Sequence, residues 1–208
     1  MKDLEKINLV RSKLNIGLSV AKELIEKFSD IDLAIASWQK QIEDEEKANL
    51  NKKYDSLNKF YYFENEYCYP TLSDSDKLEI NAFANNYCSQ LWNKYVSESK
   101  KHLMLINNPE EWKIKNEIKK EYNWQNDWNE TNTEAFSENV KSLIDWEEDD
   151  EVMFFWNKYS GIESKWRIIC KYWISFLYDD ESNIIINPKN KKVIILSTNG
   201  NLSIAERD

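Results

Sequence analysis

Apolar residues recur every three or four positions through roughly the first fifty residues of the chain. Leu14, Leu18, Ala21, Ile25 and Phe28 fall on one helical stripe, and Ile31, Ile35, Trp38 and Ile42 repeat the spacing further on. Ser29 and Asp30 stand between the two stripes and carry side-chain oxygens suited to capping the second helix. Glu43-Asp44-Glu45-Glu46 makes its far end acidic. The spacing predicts a helical hairpin extension over residues 1–55 whose stripe packs on the rest of the chain, with Trp38 in that packing.

From Tyr54 onward the pattern changes. Phe60, Tyr61, Tyr62, Phe63, Tyr67 and Tyr69 form a dense aromatic segment before Pro70, expected to be extended or irregular. Ser73-Asp74-Ser75-Asp76 reads as a helix start, with Leu78, Ile80, Phe83, Tyr87, Leu91, Trp92 and Tyr95 at helical intervals behind it. Pro109-Glu110-Glu111 opens a further helix, since proline suits a first turn and acids favour the positive end of the helix dipole. Residues 123–133 read as a polar loop pinned by Trp124 and Trp128, after which Thr131 and Glu134 match a capping box.

The last third is the best patterned. Val152 to Trp156 is strand-like, and Ser160-Gly161-Ile162-Glu163 matches a capping box. The helix it would start carries Trp166, Ile169, Cys170 and Trp173 on one face, with Phe176 or Leu177 completing it. Ile184–Ile186, Val193–Leu196 and Leu202–Ala205 read as three strands joined by turns at Asn187-Pro188-Lys189-Asn190 and Asn199-Gly200. Residues 56–208 are therefore expected to form an α+β domain ending in an antiparallel meander. The whole chain is expected to be mainly helical, with a C-terminal helix packed on a small antiparallel sheet.

Composition narrows what such a fold does. Of 208 residues, 41% are hydrophobic and 13% aromatic, enough for a real core. Lys and Arg number 28 against 37 Asp and Glu, a formal charge of −9, which argues against a nucleic-acid binder. Neither a signal-peptide pattern nor an apolar run of transmembrane length is visible, so the expectation is a cytoplasmic protein with no membrane contact. Cys68, Cys88 and Cys170 are odd in number and far apart, which fits buried free thiols in a reducing compartment.

The run Phe155-Trp156-Asn157-Lys158-Tyr159, then Ile162-Glu163, Trp166, Trp173, Phe176-Leu177 and Asp179-Asp180, leads into the Gly200 hairpin and Glu206-Arg207. Together these resemble the C-terminal signature of an uncharacterised bacterial family, domain of unknown function 2947. The aromatic segment near Tyr61 and the stretch Trp92-Asn93-Lys94-Tyr95 look like that family's N-terminal part. The resemblance covers about residues 57–207 and leaves the first helical hairpin as an addition. It implies a small cytosolic domain and carries over no catalytic residue.

Chemistry is sparsely equipped. His102 is the sole histidine, and neither a glycine elbow nor an oxyanion nest surrounds it. One histidine and three scattered cysteines do not give paired zinc spacing, and a glycine-rich phosphate loop is absent from the sequence. Ser56-Leu57-Asn58-Lys59 matches a Ser-x-x-Lys pattern that so many Ser and Lys residues produce by chance. The expectation is a non-enzyme with neither cofactor nor metal. Paired carboxylates acting as a hydrolase form the remaining catalytic option, because two acids at suitable separation suffice for glycoside hydrolysis.

The most unusual feature is an acidic run, Asp145, Glu147, Glu148, Asp149, Asp150 and Glu151, interrupted only by Trp146. It lacks the alternating ligands, central glycine and distal glutamate of a calcium loop. As a plain solvated loop it needs no function. As a recognition surface it combines long-range attraction with an aromatic anchor, and Trp124, Trp128, Asp179 and Asp180 would extend it. The partner this surface suits is a basic protein. An immunity protein that occludes a basic bacterial toxin, such as a nuclease, is the most concrete form of that expectation. A scaffold that oligomerises through the N-terminal helices is the alternative.

Overall fold

The computed structural model describes residues 3–64, 70–127, 134–177 and 182–207. The chain forms two compact units, Met1–Asn51 and Lys52–Asp208.

The first unit is a three-helix arrangement, α1 (Asp3–Leu14), α2 (Leu18–Phe28) and α3 (Ile31–Asn51), rather than a hairpin of two. The stripe read as one continuous helix breaks at Asn15, whose φ of 53° is left-handed, and at Gly17, which is extended. Leu14 therefore closes α1 while Leu18 opens α2 and stays exposed. The expected stop and start at Ser29-Asp30 is present. Ser29 adopts φ 56° and returns its N–H to the Ile25 carbonyl, and Asp30 Oδ1 accepts from the Leu33 N–H at 3.0 Å. Val10, Ala21, Leu24, Ile25 and Ala34 make the unit's core, with Trp38 packed against it.

The second unit is built on one eight-stranded antiparallel sheet, larger than the small meander expected. Its strands are β1 (Tyr54–Asp55), β2 (Asn81–Phe83), β3 (Ile114–Asn123), β4 (Glu151–Asn157), β5 (Ser160–Lys165), β6 (Asn183–Ile186), β7 (Lys192–Leu196) and β8 (Asn201–Arg207). They lie in the order β1-β2-β5-β4-β6-β7-β8-β3. Among the described residues five α-helices accompany them: α4 (Asp74–Lys77), α5 (Asn85–Tyr95), α6 (Glu134–Leu143), α7 (Trp166–Lys171) and α8 (Trp173–Phe176).

Both faces of the central strands are buried, which explains why those strands read as unbroken apolar runs rather than alternating ones. Val152, Phe154 and Trp156 of β4 join Ile185, Ile194 and Ile204 in a core shared with Phe136 and Val140 of α6 and with α7 and α8. Met153 and Phe155 point to the other face, against Cys88 and Trp92 of α5 with Ile184, Ile186 and Val193. Trp166 and Trp173 are core residues as the helical spacing predicts. Cys88 and Cys170 are buried free thiols, each pushed up to about 12 by burial, while Cys68 lies outside the described residues.

Several local expectations give way to the sheet. Ser160-Gly161-Ile162-Glu163 opens a strand, not a helix. A Cβ on Gly161 would sit 2.8 Å from the Phe154 carbonyl oxygen and 3.2 Å from the Cys88 sulfur, so the glycine serves close strand packing. The helix expected from Ser73 through Tyr95 is divided into α4, β2 and α5, leaving Leu78 exposed. Ser73 does cap α4, accepting from the Asp76 N–H at 3.1 Å. Pro109–Glu111 is a single 3-10 turn before β3. The long C-terminal helix is two short ones broken at Tyr172. The Asn199-Gly200 turn is present, with Gly200 at φ 84°. Thr131 lies outside the described residues, and α6 begins at Glu134.

Candidate functional site

The acidic run occupies the link between α6 and β4, and its tryptophan points inward. Trp146 is only 6% exposed and meets Trp166 edge-on, with ring centroids 5.1 Å apart. Trp124 is equally enclosed, T-shaped against Trp173, whose ring stacks on Phe136 at 4.4 Å. The expectation that Trp124 and Trp146 are exposed anchors is therefore corrected. Polar neighbours in a loop point outward while a bulky indole turns into whatever apolar surface lies beneath it, because burying it removes a large area from water. Trp128, Asp179 and Asp180 lie outside the described residues.

All the carboxylates of the run except that of Asp150 face out, and each of four rests on a cation contributed by a neighbouring element. Asp145 pairs with Lys192 of β7 at 2.6 Å, Glu148 with Lys141 of α6 at 2.7 Å, Asp149 with Arg167 of α7 at 3.1 Å, and Glu151 with Lys165 of β5 at 3.4 Å. The acidic side chains are 57–82% exposed and their basic partners 30–39%. The layer that meets solvent is thus carboxylate, with ammonium and guanidinium groups behind it. Glu147 is exposed as well.

The backbone of the run is fixed by hydrogen bonds. Trp166 N–H donates to the Asp150 carbonyl at 2.8 Å and Arg167 N–H to the Glu148 carbonyl at 2.9 Å, so the loop satisfies the first amides of α7. Asp150 serves the fold. Its Oδ2 accepts from the Glu147 N–H at 3.2 Å and from Asn187 Nδ2 at 2.9 Å. Behind the loop, Arg167 Nη2 grips both oxygens of Glu79 at 2.7 and 2.6 Å. Glu79 and then Asp149 raise the guanidinium's affinity for its proton. Beside it, the Asp76 carboxylate accepts from Lys171 at 2.7 Å and from the Tyr172 hydroxyl at 2.6 Å. Burial pushes the Asp76 carboxyl up, but Lys171, Tyr172 and Ser73 outweigh it and hold the group at about 2.

Sequence reasoning found the acids and missed the cations beneath them. The one local signal was Glu151 against Lys165, direct partners in the β4–β5 hairpin, which the capping-box reading of Ser160 obscured. Lys141, Arg167 and Lys192 reach the loop only through tertiary packing. The other chemical candidates have structural roles. Ser56 Oγ accepts from the Asn58 N–H at 3.3 Å, and Lys59 Nζ donates to the Phe83 carbonyl, so the Ser-x-x-Lys pattern does not pair its own members. His102 precedes a 3-10 turn at Leu103–Leu105. Among the described residues no group of three or more His, Cys, Asp or Glu is placed to hold a metal ion. Among them, too, no helix is long and apolar enough to cross a membrane.

Fold and surface together define a class: an α+β domain on an eight-stranded antiparallel sheet whose central strands are buried on both faces, bearing a fixed carboxylate rim. The chain belongs to the family described as Protein of unknown function (DUF2947), whose model matches residues 52–205, nearly the whole second unit. The curated proteins contain no match to the chain, and neither do the solved structures.

Proposed function

We propose that the protein is a non-enzymatic, cytoplasmic binding protein that engages a basic protein partner through the carboxylates of residues 145–151. Its most concrete form is an immunity protein that occludes a basic bacterial toxin, such as a nuclease. The observation that supports this reading is the layering of charge, with Asp145, Glu148, Asp149 and Glu151 57–82% exposed over cations that are 30–39% exposed. Exposed ion pairs contribute only about 0–1 kcal/mol each, so a partner's Lys and Arg can take over these carboxylates at small cost. Long-range attraction then raises the association rate, and the hydrogen-bonded loop loses little freedom on binding. Trp146 contributes by pinning the loop from below rather than by touching the partner.

The test is capture from source-cell lysate with the tagged full chain, at low and at moderate salt. The reading expects a stoichiometric basic protein that is released as salt rises, and whose toxicity the chain suppresses. A bound protein that is acidic, or one that salt does not release, would contradict it.

The scaffold reading keeps one specific observation in its favour. Leu4, Leu18 and Leu33, one on each helix of the first unit, are all more than half exposed. Deleting residues 1–53 separates the two readings, because a scaffold loses its oligomer while an occluding protein keeps its acidic rim.

A further inference from the structure

Trp146 is the one apolar residue of the acidic run and it is turned into the core, so the rim carries charge with no exposed anchor of its own. Charge mainly raises the rate of association, whereas the lifetime of a complex depends on apolar surface that the partner covers. The fold sets such a group at the rim's border. Leu78, between α4 and β2, is 85% exposed, more than any other large hydrophobic side chain among the described residues.

The turn that carries Leu78 is fixed on both sides. Before it, Asp76 is buried and held by Lys171 and Tyr172; after it, Ile80 enters the core. Glu79 N–H donates to the Asp76 carbonyl at 3.0 Å, Ile80 N–H to the Lys77 carbonyl at 3.2 Å, and Ser164 Oγ to the Glu79 carbonyl at 2.9 Å. With Asp76 and Ile80 committed inward, Leu78 projects into solvent from a backbone that has little freedom to lose on binding. The surface then runs on to the acids. Arg167 Nη2 grips Glu79, the next residue, and Arg167 Nε donates to Asp149 at 3.1 Å, so one guanidinium ties the Leu78 turn to the rim. Both Glu79 and Arg167 are partly exposed along this path.

We propose that Leu78 is the apolar anchor of the partner-facing surface, seated in an apolar recess of the basic partner whose Lys and Arg face the rim. This rests on the function proposed above and adds what the partner carries, a leucine-sized recess bordered by cations. An isolated exposed leucine is ordinary on a protein surface. This one is set apart by its rigid turn and by the guanidinium that its neighbour Glu79 shares with Asp149. Burying one leucine side chain is worth roughly tenfold to a hundredfold in affinity.

Dissociation kinetics on the immobilised full chain test the anchor with two probes. One is the basic protein that moderate salt elutes from the wild type; the other is poly-lysine, which carries charge but no apolar recess. Leu78→Ser removes little packing, since the side chain lies in solvent. It should speed dissociation of the eluted protein at least tenfold, with the association rate and its salt dependence unchanged. Poly-lysine should leave the wild type and Leu78→Ser at the same rate. Dissociation of the eluted protein unaltered by Leu78→Ser would overturn the anchor and leave the acidic rim standing. Faster release of poly-lysine as well would also overturn it, since Leu78 would then act through the carboxylates. A wild type from which salt elutes no basic protein would overturn rim and anchor together.

Discussion

Asp76 sits 8% exposed among Lys171, Tyr172 and Ser73, which hold its carboxyl at about 2 against an ordinary value of 3.8. A carboxyl depressed by folding stabilises the native state above its unfolded pKa and loses that contribution as pH falls toward the folded one. Stability should therefore drop by on the order of 1 kcal/mol between about pH 4 and pH 2 from this group, discounted for the solvent near the pair. Thermal unfolding across that window should show the loss in the wild type and a flatter profile in Asp76→Asn. Gly161 is equally specific: adding a methyl 2.8 Å from a backbone oxygen forces β4 and β5 apart. Gly161→Ala should cost about 1–3 kcal/mol in denaturant unfolding, and an unchanged midpoint would contradict the packing described. Trp146→Ala should cost about 3–5 kcal/mol through the cavity left against Trp166, as expected of a core indole. At this scale the sequence was legible where a residue acts on its neighbours, as Asp30 does on Leu33. It was opaque for Trp146, whose sequence neighbours are acids and whose spatial neighbour is an indole.

Among the elements, the apolar runs of β4, β6, β7 and β8 were readable because burial on both faces leaves few polar positions in them, Ser203 among these. Elements whose apolar positions mix several partners were not. Ile80 and Phe83 fit a helical spacing with Tyr87, yet Phe83 ends β2 and its ring packs on both Tyr87 and Phe155. The β3 strand, Ile-Lys-Asn-Glu-Ile-Lys-Lys-Glu-Tyr-Asn, carries its identity in pairing with β8, which no local pattern displays. The acidic loop behaves as part of α7, whose first amides it caps. Arg167→Gln removes the guanidinium that ties Asp149 and Glu79 together at that cap. Exchange of the backbone amides at positions 166 and 167 should then accelerate by about tenfold, read by hydrogen exchange, with more distant β7 amides unaffected.

For the whole molecule, the division at Asn51/Lys52 coincides with the start of the family match at residue 52, and each unit has its own buried cluster. A chain of residues 52–208 should therefore fold cooperatively without the three helices, as a single calorimetric transition would show. The acids of residues 145–151 were legible as a feature; their placement over a bed of cations was not, because it depends on α6, α7, β5 and β7 converging on one loop. On the function proposed above, these outward carboxylates form the partner-facing surface. This is tested most directly by repeating the lysate capture with Asp145→Asn/Glu147→Gln/Glu148→Gln, a variant that spares the structural Asp150 and the Asp149–Arg167 pair. The variant should capture at least tenfold less of the basic protein, with a weaker salt dependence and an unchanged unfolding transition. Equal capture by the variant and the wild type would contradict it.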